Sequence, residues 1–275
     1  MTSKLIVLIT GANQGIGYHA AHQLAATGKY NVLLGARDIN KGEKAVQGIL
    51  SDKSTNVDKD NVVPIQIELT SDESIAAAVK VVEEAYGRLD VLVHNAAIAA
   101  NTENLSTREQ LFESFNTNSV RKPPKNQRPF LPVHLLTFPK FGPVVATEAF
   151  LPLLRKSDEK KGGKRIIFLS TLLASFTTTT SGTLPFPPHY ASLYRASKAA
   201  LNMSTLSLHS ELKDEGFTVC ALDPGYNKTR MNGFSGDKDP RDGARVIPMA
   251  VEAERGEVNG RFVCFEGGVR GFHDW

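Results

Sequence analysis

Apolar residues are distributed along the chain in two alternating kinds of segment. Short runs rich in β-branched residues, apolar at nearly every position, occupy 5–10, 30–35, 62–68, 91–94, 165–170, 218–222 and 261–265. Between them lie longer stretches whose apolar positions recur every three or four residues, at 16–27, 39–50, 72–86, 107–118, 144–156 and 192–215. The first kind predicts strands and the second predicts helices. Strands apolar on both faces need cover on both faces. The pattern therefore predicts an α/β fold, a doubly wound parallel sheet with helices on either side. No internal repeat or linker divides the chain, so residues 1–275 read as a single domain.

One segment breaks the alternation. Residues 120–140 read VRKPPKNQRPFLPVHLLTFPK, with five prolines, five Lys or Arg and no acid. A regular helix is excluded there, since each interior proline costs roughly 3 kcal/mol. The segment separates two helical patterns that would otherwise run together.

Composition narrows the function classes. Hydrophobic residues make up 41% and charged residues 22% of 275 positions, with a net charge of +3. That small excess, with no basic stripe outside 120–140, speaks against nucleic acid as a partner. No apolar run is long enough to span a membrane, and the run at 5–9 leads into a glycine motif rather than a cleavage site. The expected location is cytoplasmic, where Cys220 and Cys264 would remain reduced thiols in apolar strands. No metal-ligand spacing occurs.

The glycine motif carries the first chemistry. Thr10-Gly11-Ala12-Asn13-Gln14-Gly15-Ile16-Gly17 follows the first strand and opens the first helix. Gly11 suits a tight turn, Gly15 a close approach of backbone to a pyrophosphate, and Gly17 a close packing of helix on strand. The helix start then offers unpaired N–H groups to an anion. This context predicts a Rossmann-type dinucleotide site. A tyrosine and a lysine four residues apart, Tyr194 and Lys198, share one face of the last long helical pattern.

T-G-x-x-x-G-x-G, His94-Asn95-Ala96-Ala97, Tyr194-Arg195-Ala196-Ser197-Lys198 and Pro224-Gly225 followed by Thr229 occur in this order. Together they resemble the short-chain dehydrogenase/reductase family in its single-domain form, over essentially the whole chain apart from 120–140. GANQGIG, LLGAR, TEAFLPLLRKS and YRASKAALNM are similar to carbonyl reductases of the ketone-reducing type.

The resemblance implies a set of roles. Tyr194 would exchange a proton with the substrate oxygen, with its phenol lowered by the Lys198 ammonium together with the cofactor's charge, and Lys198 would also hold the nicotinamide ribose. The substrate-polarising hydroxyl falls to Thr171, with Ser170 next and Ser175 third. Asn118 would hold a water in a proton relay through Lys198. Gly11, Asn13, Gln14, Gly15, Ile16 and Gly17 would cradle the cofactor. Asn95 and Ala96 would line it, Glu68 would meet the adenine, and Pro224, Gly225 and Thr229 the carboxamide or pyrophosphate. Thr229 can instead cap a helix, and His94 reads as structural. Residues 231–241 would form part of a substrate lid. Arg37, after Ala36 at the second strand's end, stands where NAD-preferring relatives have an acid. A guanidinium suits a 2′-phosphate and indicates NADP(H), unless Arg37 only pairs with Asp38 or Glu43.

The expected activity is NADP(H)-dependent reduction of a ketone or aldehyde, or oxidation of the alcohol, on a small-molecule substrate. The family implies a dimer or tetramer. Excising 120–140 restores the family's N-x-x-G as Asn118-Ser119-Phe141-Gly142 and joins the two helical patterns. The segment can be a translated intron, whose ends are compatible with splice-site codons, or a genuine surface insertion. Either way it could perturb Asn118 and the subunit contact, and the alternative function is an NADP-binding chain inactivated by it.

Overall fold

The computed structural model describes residues 4–97, 142–184, 186–187 and 189–275. Eight strands form one sheet: β1 (Leu5–Ile9), β2 (Tyr30–Ala36), β3 (Val62–Gln66), β4 (Val91–His94), β5 (Arg165–Leu169), β6 (Thr218–Asp223), β7 (Phe262–Glu266) and β8 (Val269–His273). Their spatial order is β3-β2-β1-β4-β5-β6-β7-β8. All neighbours pair in parallel except β7 and β8. This is the expected Rossmann-type sheet. Strand order reverses between β1 and β4, the place where open α/β sheets bind ligands at their carboxyl ends.

Alternation along each strand divides the core. Val7, Ile9, Val32, Leu34, Val91 and Val93 face one side, with Ala20, Ala21 and Leu24 of α1 (Gly15–Ala26). Ile6, Leu8, Leu33, Leu92, Ile166 and Phe168 face the other. They meet Phe150 of α4 (Gly142–Arg155) and Leu201 and Leu208 of α6 (Ser192–Leu212). A period of two with both faces buried is what a sheet between two helix layers requires.

Caps fix the helix limits. Asp38 accepts from Asn40 N at 3.0 Å at the head of α2 (Ile39–Leu50). Ser71 accepts from Ser74 N at 3.1 Å at the head of α3 (Asp72–Tyr86), and Gly87 closes that helix in the left-handed region at φ 71°. β3 ends at Gln66, so Glu68 lies beyond the strand it was expected to finish. The chain also forms elements the periodicity did not predict. These are the short helices α5 (Phe176–Ser181), α7 (Pro240–Gly243), α8 (Val246–Glu252) and α9 (Arg255–Val258), and the edge strand β8. No helix of the described residues is long and apolar enough to cross a membrane, and no group of metal-ligating side chains occurs among them.

Candidate active site

The loop from β1 to α1 is built around its glycines. Gly11 adopts φ 63° and Gly15 φ 60°. A Cβ at Gly11 would stand 2.8 Å from Ala96 Cα, and one at Gly17 would stand 2.4 Å from Asn95 Nδ2 and 2.9 Å from Ala12 Cα. Both glycines are thus required for the loop to close onto the end of β4. Asn95 fastens that closure, donating to Thr10 O at 2.9 Å and Gly11 O at 3.0 Å. The Thr10 hydroxyl receives the backbone N–H of Asn95 and of Ala96, each at 3.2 Å.

Gly15 differs from the other two. A Cβ there would meet only Thr229 Cγ2, at 3.8 Å. The head of α1 carries no side-chain cap and no acid in its first turn, although Gln14 sits at the capping position. Its first N–H groups, near Asn13 and Ile16, therefore have no side-chain acceptor from the cap, and Thr229 is the residue nearest the open side of Gly15. Unsatisfied helix-start donors beside a glycine cradle fit a pyrophosphate.

Arg37 is exposed just past the end of β2. Of the two expected competitors for it, Asp38 is occupied otherwise: it caps α2 and lies 3.9 Å from Lys41. Arg37 has no carboxylate partner among the described residues. A free guanidinium at this strand end fits a phosphate ester on a ribose. Glu68 is exposed, with its carboxylate accepting from the Thr70 hydroxyl at 2.9 Å.

On the other side of the switch point, α6 carries Tyr194 and Lys198. The Lys198 ammonium is buried and donates to Leu169 O, at the end of β5, at 2.7 Å. Burial pushes it down to about 8. Tyr194 is half-buried. Its phenol is raised, by burial first and by the Asp223 carboxylate second. Lys198 donates to a main-chain carbonyl here, and desolvation sets the direction of this shift.

The two candidate hydroxyls after β5 are placed differently. Ser170 is buried and donates to Asn202 Oδ1 at 2.6 Å. Thr171 is partly exposed and heads a 3-10 turn that packs against α6, accepting from Leu173 N at 3.3 Å. Ser175 is fully buried and caps α5. Of the three, Thr171 is the one with surface open to solvent at the strand end. Asn118, expected in the relay, lies outside the described residues, as does the segment 120–140.

Pro224 and Gly225 follow β6. Asn227 donates to both their carbonyls, at 2.9 Å each, and Gly225 lies at φ 77°. Thr229 starts a 3-10 turn (Arg230–Asn232), its N–H donating to Asn232 Oδ1 at 3.2 Å.

His94 has the structural place expected of it. It is fully buried, stacks on Phe168 at 4.8 Å and bonds the Thr147 hydroxyl at 2.8 Å. Burial, helped by the Lys198 charge, pushes it down from 6.5 to about 3. An imidazole lowered on folding is neutral in the folded chain, so unfolding below pH 6.5 takes up a proton and stability falls with pH. His94→Asn should remove this dependence. The expected result is that the parent chain, with His94, loses about 1 kcal/mol more than His94→Asn between pH 7 and 5.5, measured by urea unfolding.

Residue spacing gave no sign of Arg195 as an anchor. It is buried and ties the loop after β5 to α6, donating to Leu173 O at 2.9 Å and Pro187 O at 3.4 Å. Just before α6, Ala191 takes a left-handed φ of 49°, a conformation costly for a residue with a Cβ.

The sequence profile described as short chain dehydrogenase matches residues 5–240. The chain is a member of the short-chain dehydrogenase/reductase family. The short-chain dehydrogenase anuI of Penicillium roqueforti is 37% identical over 265 residues, covering 95% of this chain and 94% of that protein. Among solved structures, NADPH-bound carbonyl reductase from chicken fatty liver superposes with a TM-score of 0.74 at 27% identity, over 100% of both chains. A short chain dehydrogenase from Burkholderia cenocepacia in complex with NADP gives 0.69 at 26%, over 97% of this chain and 98% of that one. This short-chain dehydrogenase/reductase is thus an oxidoreductase.

Proposed function

We propose that the chain is an NADP(H)-dependent carbonyl reductase, taking a small ketone or aldehyde to the alcohol. The observation that carries this reading is the convergence of two features at one end of the sheet. An uncapped helix start with its glycine cradle lies at β1, and Tyr194 and Lys198 on α6 lie at the ends of β5 and β6. The NADPH and NADP carried by two similar structures support the choice of cofactor, as does the unpaired Arg37.

Each residue has a task in this reading. Gly11, Gly15 and Gly17 shape the cradle, Asn95 holds it closed, and the first N–H groups of α1 take the pyrophosphate. Arg37 takes the 2′-phosphate. Pro224, Gly225 and Thr229 close the nicotinamide side, with Ala96 lining the floor. A bound NADPH supplies the hydride. Thr171 donates a hydrogen bond to the substrate carbonyl oxygen. Tyr194 gives its phenolic proton to that oxygen as the carbonyl becomes an alcohol, and is reprotonated from solvent. Lys198 anchors the ribose side and stabilises the phenolate left behind.

The test is a paired assay of the full chain and a form lacking 120–140, following NADPH consumption with aromatic and aliphatic ketones. Turnover in either form supports the reading. NADPH binding without consumption in both, across the panel, would instead favour a cofactor-binding protein without catalysis.

A further inference from the structure

Three aromatic rings join the loop after β5 to the loop after β6, and neither the cofactor cradle nor the acid–base pair uses them. Phe186 stacks on Tyr190, with ring centroids 4.6 Å apart and planes 14° from parallel. The same Phe186 meets Tyr226 at 5.9 Å in a T-shaped contact, with planes at 72°. Phe186 is half-buried, while Tyr190 and Tyr226 remain 40% and 36% exposed. None of the three packs into either core cluster. Rings held against one another yet open to water form an apolar surface that a ligand can still cover.

Contacts tie these rings to the reacting groups. Arg195, the residue after Tyr194, donates from Nε to Leu173 O at 2.9 Å and from Nη1 to Pro187 O at 3.4 Å. Leu173 N in turn donates to the Thr171 hydroxyl at 3.3 Å, and Tyr190 N donates to the same Pro187 carbonyl at 2.9 Å. One guanidinium therefore holds together the turn that carries Thr171, the turn that carries Phe186 and Tyr190, and the helix that carries Tyr194. On the β6 side, Tyr226 directly follows Gly225. Its hydroxyl bonds Ser235 Oγ at 2.7 Å, and its carbonyl accepts from Asp237 N and Lys238 N at 3.1 Å each. The Tyr226 ring is thus fixed at both ends. The three rings run from the Thr171–Tyr194 side of the site to the Pro224–Gly225 side.

We propose that Phe186, Tyr190 and Tyr226 are the specificity-determining wall of the substrate site, and that the substrate is an aryl ketone. Its ring lies against this wall while its carbonyl meets Thr171 and Tyr194. The inference rests on the reading of Thr171 and Tyr194 as the reacting end. A flat ring gains stacked or edge contacts with aromatic faces that a puckered ring of similar size does not. The three side chains carry no charge at neutral pH, so selection falls on ring stacking rather than on ion pairing.

The test compares acetophenone with cyclohexyl methyl ketone, which has the same carbon skeleton with a puckered ring. Both are assayed with the full chain and NADPH. Phe186→Leu and Tyr226→Leu should each lower the ratio of kcat/KM for acetophenone to that for the cyclohexyl ketone by about three- to tenfold. Tyr226→Phe, which keeps the ring, should hold the parent ratio. Dissociation constants of the two ketones on the NADP+-loaded chain should move in the same proportion. Rings that only staple the two loops would affect both ketones alike. A ratio unmoved in Phe186→Leu and Tyr226→Leu, with Tyr194→Phe inactive, would overturn this inference and leave the Tyr194 assignment standing. Equal affinity for the two ketones in the parent chain and both leucine variants would overturn it whether or not either ketone is reduced. Full turnover in Tyr194→Phe would overturn both readings.

Discussion

Tyr194→Phe is expected to lower kcat for NADPH-dependent ketone reduction by about 10²–10⁴-fold, the range for loss of a positioned general acid. The substitution deletes one oxygen and leaves the ring. α6 owes its packing to Leu201, Leu208 and Leu212, and Lys198 holds Leu169 O independently of the phenol. Fold and cofactor cradle should therefore survive, and NADPH binding, followed by quenching of protein fluorescence, should change by less than about threefold. A parallel loss of binding would point to damage rather than to a missing proton. Undiminished kcat would mean that another group protonates the substrate.

Arg37→Ala should weaken NADPH binding by about 10–100-fold, equivalent to roughly 1.5–3 kcal/mol for hydrogen bonds to a charged group, and leave NADH binding nearly unchanged. The reason is the isolation of the side chain. Asp38 is engaged as the cap of α2, so removing Arg37 breaks no ion pair described in the chain, and the cost falls on the ligand alone. The loss should also shrink as salt rises, because the contact is at the surface. Titrations with both cofactors in low and high salt check this. Equal weakening of NADPH and NADH would mean that Arg37 shapes the site without reading the 2′-phosphate.

How much of this was legible in the chain depends on how far apart the interacting groups lie. α2 and α3 begin and end where the pattern put them because Asp38, Ser71 and Gly87 are local signals acting within one turn. The glycine cradle was equally legible, since strand, turn and helix start are contiguous. β8 was not, although Gly267-Gly268 is a hairpin signal. Its residues are exposed or half-buried at the sheet edge, so no alternation marks them. The helices at Pro240–Gly243 and Arg255–Val258 are four residues each, too short to show a helical period. The groups that act on Tyr194 differ in legibility in the same way. Lys198 is four residues away and visible by spacing, whereas Asp223 comes from another strand and burial comes from the whole fold. The hydrogen bond to Asp223 from His273, 50 residues further on, was hidden by the same distance.

The most direct measurement of the central claim is a single turnover with NADPH deuterated at the transferable C4 position, mixed with the parent chain or Tyr194→Phe and a panel of aromatic and aliphatic ketones. The account predicts an alcohol carrying one deuterium on the former carbonyl carbon with the parent chain, formed at least about 10²-fold more slowly by Tyr194→Phe. Deuterated alcohol formed at equal rates by both, or NADPH bound by the parent chain with no deuterium delivered to any ketone, would contradict it.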